Sequence, residues 1–325
     1  MKKSIFLMAA AVGLMTTACQ NFKKGDGGLE YKIVKDNGKP KIQAEDYVIY
    51  DMEVLSDRND SLINSTFELG LPSALKIAPD SVPGRYKGDF ITAFTYLGEG
   101  DSAVFRLNLD TAAAKSGQPK MPFADKYVTI KLSIRKHLSK ASYNDSTASA
   151  ELNKFFDAEL KKLETAEPAK IEKYIASNKL QPKKTASGLQ YVVTSEGKGA
   201  KPVDGDTVYV NYVGKLTSGK VFDTSIKEEA EKAKLPVNPM RTFEPIKFVL
   251  GVDPIIPAWV EGLKLINQGS KATLIIPSSQ AYGANGQPQG KIPPYAPLIF
   301  DLELVKVVKG KAPEQNPQAS APAQN

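Results

Sequence analysis

The side chains best placed to do chemistry in this sequence are rings and apolar groups, not nucleophiles. Among 325 residues there is one histidine, His137, and one cysteine, Cys19. A lone imidazole builds no histidine metal cluster, and a lone thiol makes neither a disulfide nor a thiolate metal site within one chain; no metal or cofactor is expected. Large rings gather instead between residues 245 and 303, at the joins of PIKFVLG, IIPAWVEGL, LIIPSSQAYG and IPPYAPLIFDLEL. Trp259, the only tryptophan, lies among them. Such a set can wall an apolar pocket or simply fill a core, and composition by itself favours the core.

The elements that must position these rings follow from the pattern. PIKFVL alternates and stops at Gly251, as a strand does. Pro254 and Pro257 interrupt it and leave room for a helix of two or three turns over residues 258–266, closed by Gly269. TLIIP and PLIFDLELV are β-branched and apolar, and predict neighbouring buried strands.

Together with the upstream GDTVYVNYVGKLTSGKVFDTS, these motifs stand in the order found in the FKBP family of peptidyl-prolyl cis-trans isomerases, and residues 188–309 resemble that family. The resemblance implies an antiparallel sheet curled around a short helix, with an apolar pocket between them for a substrate proline. Position by position it implies that Trp259 floors the pocket, with Tyr212, Phe222, Phe300 and Ile255 as walls. It further implies that the Ile256 N–H donates to a substrate carbonyl, that Asp223 orients Tyr212, that the Tyr282 hydroxyl donates to the peptide and that Ile292 closes the rim. Ile246, Phe248 and Tyr295 complete the expected substrate-binding set. Read singly, each has a plainer role: Tyr212 an alternating strand residue, Asp223 a turn cap, Phe300 core. Departures from the family pattern are Ile246 for Phe, Ala258 for Gly, Lys291 for an apolar residue, and Tyr295; they bear on macrolide affinity and sequence preference. After Asp223 an insertion, TSIKEEAEKAKLPVNPMRTFE, has a charged, helical first half that either contacts clients or decorates the surface.

An X–Pro bond rotates slowly because amide resonance imposes a barrier of roughly 18–20 kcal/mol. A dry pocket disfavouring the planar, zwitterionic amide, with donors set for the twisted one, lowers that barrier without covalent chemistry. The lack of a Cys/His or Ser/His constellation suits this reaction.

Upstream, the same motifs echo in order. GLEYKIV matches GLQYVVT, AEDYVIYDMEVL matches DGDTVYVNYVGKL, FTYLGEGDSAVFRLNLD matches LKLINQGSKATLIIPSS, and QPKMPFADKYVTIKLSIRK matches QGKIPPYAPLIFDLELVKV. We read an internal duplication. In the first copy Ile63 and Asn64 stand for Phe222 and Asp223, Phe90 for Trp259, Ala113 for Tyr282 and Ile130 for Phe300, so the scaffold is kept and the pocket chemistry is lost. That copy is either a client-binding module or a pedestal.

Residues 142–181 read as helical. Leu152, Phe155, Phe156, Leu160 and Leu163 form one stripe, and Pro168 suits the first turn of a second helix carrying Ile171, Tyr174 and Ile175. The stripe either mediates a homodimer or packs on the chain's own domains, the latter preferred. At the N-terminus Lys2, Lys3 and the apolar run over residues 5–15 predict a secretory signal, too short for a stable membrane span. Cys19 after TTA resembles a bacterial lipobox, departing from it at Thr16; an ordinary signal peptide is the alternative.

The expected fold is therefore α+β: signal 1–18, tether 19–27, a degenerate FKBP-like domain 28–140, a helical linker 141–184, an FKBP-type domain 185–309 and a disordered tail 310–325. The expected function is prolyl isomerisation for proline-containing unfolded or nascent exported polypeptides, with macrolides as conceivable ligands. An envelope chaperone or binding module is the alternative. The expected location is the bacterial envelope, held by lipid at the outer membrane and facing the periplasm. A net charge of +7 without a basic stripe interleaved with aromatics argues against nucleic acid.

Overall fold

A computed structural model describes residues 22–120, 122–235 and 240–310. Cys19, the apolar N-terminal run and the C-terminal tail lie outside the described residues. The chain divides into two compact units, one holding residues up to Ile63 and Leu75–Lys140, the other Asn64–Ala74 and everything from Ala141 onward.

In the first half, strands β1 (Lys23–Lys24), β2 (Glu30–Lys35), β3 (Tyr47–Ser56), β4 (Leu62–Ser65), β5 (Ser73–Lys76), β6 (Ser102–Asn108) and β7 (Tyr127–Leu138) form one sheet in the order β1-β2-β6-β7-β3-β4, with β5 also on β3. Helices α1 (Thr66–Leu69), α2 (Phe90–Phe94) and α3 (Leu109–Ser116) sit in the connections. The period-two pattern puts Ala103, Phe105 and Leu107 of β6, and Val128, Ile130, Leu132 and Ile134 of β7, into one core with Phe94 and Leu97. Asp89 caps α2 by accepting from the Thr92 N–H at 2.8 Å.

A single helix, α4 (Asp145–Ser177), replaces the two expected helices. It opens with a capping box, in which Asn144 accepts from the Thr147 N–H and Thr147 Oγ1 accepts from the Asn144 N–H, each at 3.0 Å. Pro168 lies inside it and removes one helical hydrogen bond, a cost of about 3 kcal/mol. Anchoring beyond the proline keeps the helix continuous: buried Ile171 packs on Ile275 and Ile299, with Tyr174, Ile175 and Leu180 around it. The C-terminal part of this linker is thus integral to the second unit. Leu152, Phe155, Phe156, Leu160 and Leu163 are each only half-buried.

The second sheet repeats the first. It comprises β8 (Lys183–Lys184), β9 (Gln190–Ser195), β10 (Thr207–Leu216), β11 (Val221–Thr224), β12 (Ile246–Val249), β13 (Lys271–Ile276) and β14 (Leu298–Val308), in the order β11-β10-β14-β13-β9-β8, with β12 also on β10. Even the register irregularity recurs, between Ile49 and Tyr50 in β3 and between Tyr209 and Val210 in β10. The first half of the insertion after Asp223 is helical as expected, α5 (Lys227–Lys232). The short helix is α6 (Pro257–Leu263), ending before the expected Ile266, and Pro257 starts it, where its missing N–H costs nothing. Gly262 lets α6 lie against β13: a Cβ there would meet Leu274 Cδ1 at 2.6 Å. Two antiparallel sheets with short helices and one long helix make the mixed α+β architecture expected.

Candidate functional site

The second unit carries a cleft of about 470 Å³ between α6 and the sheet. Its floor is Trp259, held by the first turn of α6 and 3% exposed. Tyr212 from β10, Phe222 from β11 and Phe300 from β14 make one wall, Ile246 another, and the approach to α6 supplies Pro254, Ile255, Ile256 and Pro257. Ala281 and half-exposed Tyr282 form the remaining side. The rings meet edge to face, the geometry their quadrupoles favour: Trp259 and Phe300 at 5.1 Å and 89°, Tyr212 and Trp259 at 5.2 Å and 75°, Phe222 and Phe300 at 5.6 Å and 83°.

Every residue expected as catalytic, namely Tyr212, Phe222, Asp223, Ile256, Trp259, Tyr282 and Phe300, lines this cleft, as do Ile246 and Ile255. Three expected substrate contacts stand apart from the lining. Phe248 is buried behind Trp259, 6.0 Å away ring to ring. Ile292 is 4% exposed and packed in the core cluster. Tyr295 sits in a left-handed turn, its N–H donating to the Gly283 carbonyl.

Polar order in the cleft is concentrated at Asp223. The Tyr212 hydroxyl donates to Asp223 Oδ2 at 2.5 Å, and the Thr224 N–H donates to Oδ1 at 2.9 Å. Thr224 Oγ1 and the Ser225 N–H donate to the Tyr212 carbonyl, which ties β11 to β10 at this point. Burial, then the bond to Asp223, pushes the Tyr212 phenol well above its ordinary value, so it is a neutral donor. Burial, then the Asp223 charge, also raises Tyr282. The Trp259 indole Nε1 is buried without a partner, the one side-chain nitrogen or oxygen so placed among the described residues. An unpaired buried donor costs about 1–3 kcal/mol.

Two participants escaped the sequence reading. Arg241, at the far end of the insertion, donates from Nη2 to Asp223 Oδ1 at 2.7 Å and to the Thr224 carbonyl at 2.6 Å. An arginine eighteen residues from its partner across an irregular loop leaves no periodic signal. Gly214 in β10 faces Phe300 in β14, and a Cβ there would lie 2.7 Å from that ring and 2.8 Å from Phe222. The absent side chain is what leaves space for both rings. Its sequence signal, a glycine inside an otherwise alternating strand, was available.

This is a ring-walled, largely apolar hollow with a neutral phenol and an anchored carboxylate at one edge, suited to seating a small apolar ring and a peptide bond beside it. No group of three or more His, Cys, Asp or Glu able to hold a metal occurs among the described residues.

Residues 198–305 match the family described as FKBP-type peptidyl-prolyl cis-trans isomerase. The chain is 39% identical over 181 residues to the FKBP-type peptidyl-prolyl cis-trans isomerase FkpA of Escherichia coli K12, covering 52% of this chain and 59% of that protein. It is 38% identical over 169 residues to FkpA of Aeromonas hydrophila, covering 51% and 56%. The chain thus spans less than two thirds of the length of these curated relatives. Among solved structures, that of FkpA from Escherichia coli is 36% identical and covers 52% of this chain and 75% of that one, with a TM-score of 0.38. A peptidyl-prolyl cis-trans isomerase from Pseudomonas syringae is 31% identical and covers 46% and 96%, with a TM-score of 0.36.

Proposed function

We propose, from the membership of residues 198–305 in the FKBP-type peptidyl-prolyl cis-trans isomerase family, that this chain catalyses rotation about X–Pro bonds by non-covalent stabilisation of the twisted amide. The observation that carries the reading is the cleft beside Trp259, open to solvent and walled by three edge-on rings. A proline ring fits the apolar floor. Desolvation there disfavours the charge-separated planar amide, and the Ile256 N–H and Tyr282 hydroxyl are the donors nearest to hand for the peptide. Tyr212 and Asp223 hold the far edge; each ~1.4 kcal/mol of preference for the twisted state is about tenfold in rate.

The test is a proline-peptide isomerisation assay on the full chain and on Trp259→Ala and Asp223→Ala. Acceleration by wild type, lost in Trp259→Ala, supports the reading. Wild type at the uncatalysed rate sinks it and favours the second reading, a chaperone or binding module of the envelope. The first unit supports that alternative role: its scaffold keeps the sheet order while Ile130 and Phe90 stand where the second unit has Phe300 and Trp259.

Its substrates in this proposal are proline-containing unfolded or nascent exported polypeptides, whose uncatalysed isomerisation takes tens of seconds or more. The macrolide ligands of the family would occupy the same hollow. No helix among the described residues is long and apolar enough to cross a membrane. Attachment is assigned to a lipid on Cys19, at the outer membrane facing the periplasm, and radiolabelled palmitate on the full-length protein tests it. The half-buried apolar stripe of α4 would pack on the chain's own domains or else be the face of a homodimer, and sedimentation of the full chain would tell the two apart.

A further inference from the structure

Glu167 lies on α4, 111 residues before the site it touches. Its carboxylate holds Ser278 twice: Oε1 accepts from the Ser278 N–H at 2.5 Å and Oε2 from the Ser278 hydroxyl at 2.7 Å. Ser278 is 3% exposed and opens the single 3₁₀ turn Ser278–Gln280, which leads directly into Ala281 and Tyr282 on the wall of the cleft. Charge-assisted bonds to both the backbone and the side chain of one residue fix its place and its rotation together.

α4 also packs on the sheet through apolar side chains, and the Tyr174 phenol lies near the charges of Lys215 and Asp301. Ile171 rests on Ile275 and Ile299, which attaches the helix but, being non-directional, sets no angle for the loop. The turn itself is poorly braced from within, held by the Gln280 N–H on the Pro277 carbonyl and the Ala281 N–H on that of Ser278. Glu167 supplies the directional contact.

We propose that Glu167 is a positioning residue of the cleft, acting through Ser278 to set where Tyr282 presents its hydroxyl. The kinetic consequence rests on the isomerase reading above; the coupling between helix and loop does not. Long helix and pocket are then one working part, so that whatever bends α4 alters the cleft.

Two measurements on the full chain decide it, with Glu167→Ala and the milder Glu167→Gln. In hydrogen exchange, protection of residues 278–286 should fall by about tenfold while the strands β10 and β14 keep theirs. Unchanged exchange in that segment for both variants overturns the proposal. Should Glu167→Ala fail to fold, Glu167→Gln and Ser278→Ala carry the same reading. In the isomerisation assay, Glu167→Ala should lower kcat/KM by about fivefold in wild type and hardly at all in a Tyr282→Phe background. Equal losses in both backgrounds would show general loosening and overturn the kinetic part. Wild type without activity removes the isomerase reading, and the exchange experiment then decides the coupling alone.

Discussion

Gly214 faces Phe300 across β10 and β14, and in the corresponding register of the first sheet Val54 faces Ile130. The two pairs differ at the place where the second unit has its ring-walled cleft. Where the glycine leaves space, the Phe222 and Phe300 rings close over it and meet edge to face. In the first unit a partly buried valine packed on the core stands in place of the glycine, and a buried isoleucine in place of the ring. Gly214→Val should therefore close the cleft from below. Overpacking of this kind costs about 1–3 kcal/mol, so the variant should still fold with a lowered melting temperature and lose most of its kcat/KM. Retained activity with displaced rings would show that the ring geometry does not matter.

The Tyr212 phenol gives a prediction about alkaline pH. Burial and then the hydrogen bond to Asp223 raise its ionisation above the ordinary value of 10.0. The unfolded chain therefore loses this proton first as pH rises. Stability from this group is complete below about pH 10 and declines above it toward the folded value. Tyr212→Phe should shorten that alkaline decline in denaturant titrations between pH 9 and 11. It should also lower kcat/KM several-fold at neutral pH, since one partner of Asp223 is gone.

Acid acts elsewhere. Asp206, 3% exposed at the entry to β10, is pushed upward by burial, but the Lys309 ammonium and the N–H groups of Val203 and Gly310 outweigh this and hold it below 3.8. Its contribution is present at neutral pH and lost as pH falls below about 4, where the unfolded carboxylate protonates first. Asp206→Asn should be less stable at pH 7 and should flatten the acid limb of the second unit's unfolding curve. Asp46 takes the equivalent place in the first unit. Burial opposes ionisation there too, while Lys140, Gln43 and His137 lower it. Asp46→Asn should flatten the acid limb of that unit alone.

How much of this was readable beforehand divides along physical lines. The duplication was legible because alternating strands keep their pattern even when the site is lost, and the two sheets share order and bulge. The cleft lining was legible only through the order of family motifs, since Trp259 or Phe300 taken singly reads as core. Phe248 and Ile292 shared that ambiguity and are core. The break expected at Pro168 did not occur, because proline's local cost is outweighed by contacts of Ile171 and Glu167 that no window of sequence contains. Long-range polar contacts were the blind spot throughout.

Arg241 is the sharpest case, and its weight can be bounded. The guanidinium reaches Asp223 from the insertion, yet both side chains remain about a third exposed, 35% and 39%. A solvent-exposed pair of this kind is worth about 1 kcal/mol or less. Arg241→Met should thus lower kcat/KM only a few-fold, without a measurable change in melting temperature. Arg241 and Tyr212 hold the two oxygens of one carboxylate, so their effects should not add: Arg241→Met in a Tyr212→Phe background should cost less than in wild type. Independent effects in that cycle would mean that Arg241 serves the loop and not the orientation of Asp223. A raised salt concentration gives a second check, since screening should bring wild type toward the Arg241→Met rate while leaving the Tyr212→Phe deficit in place.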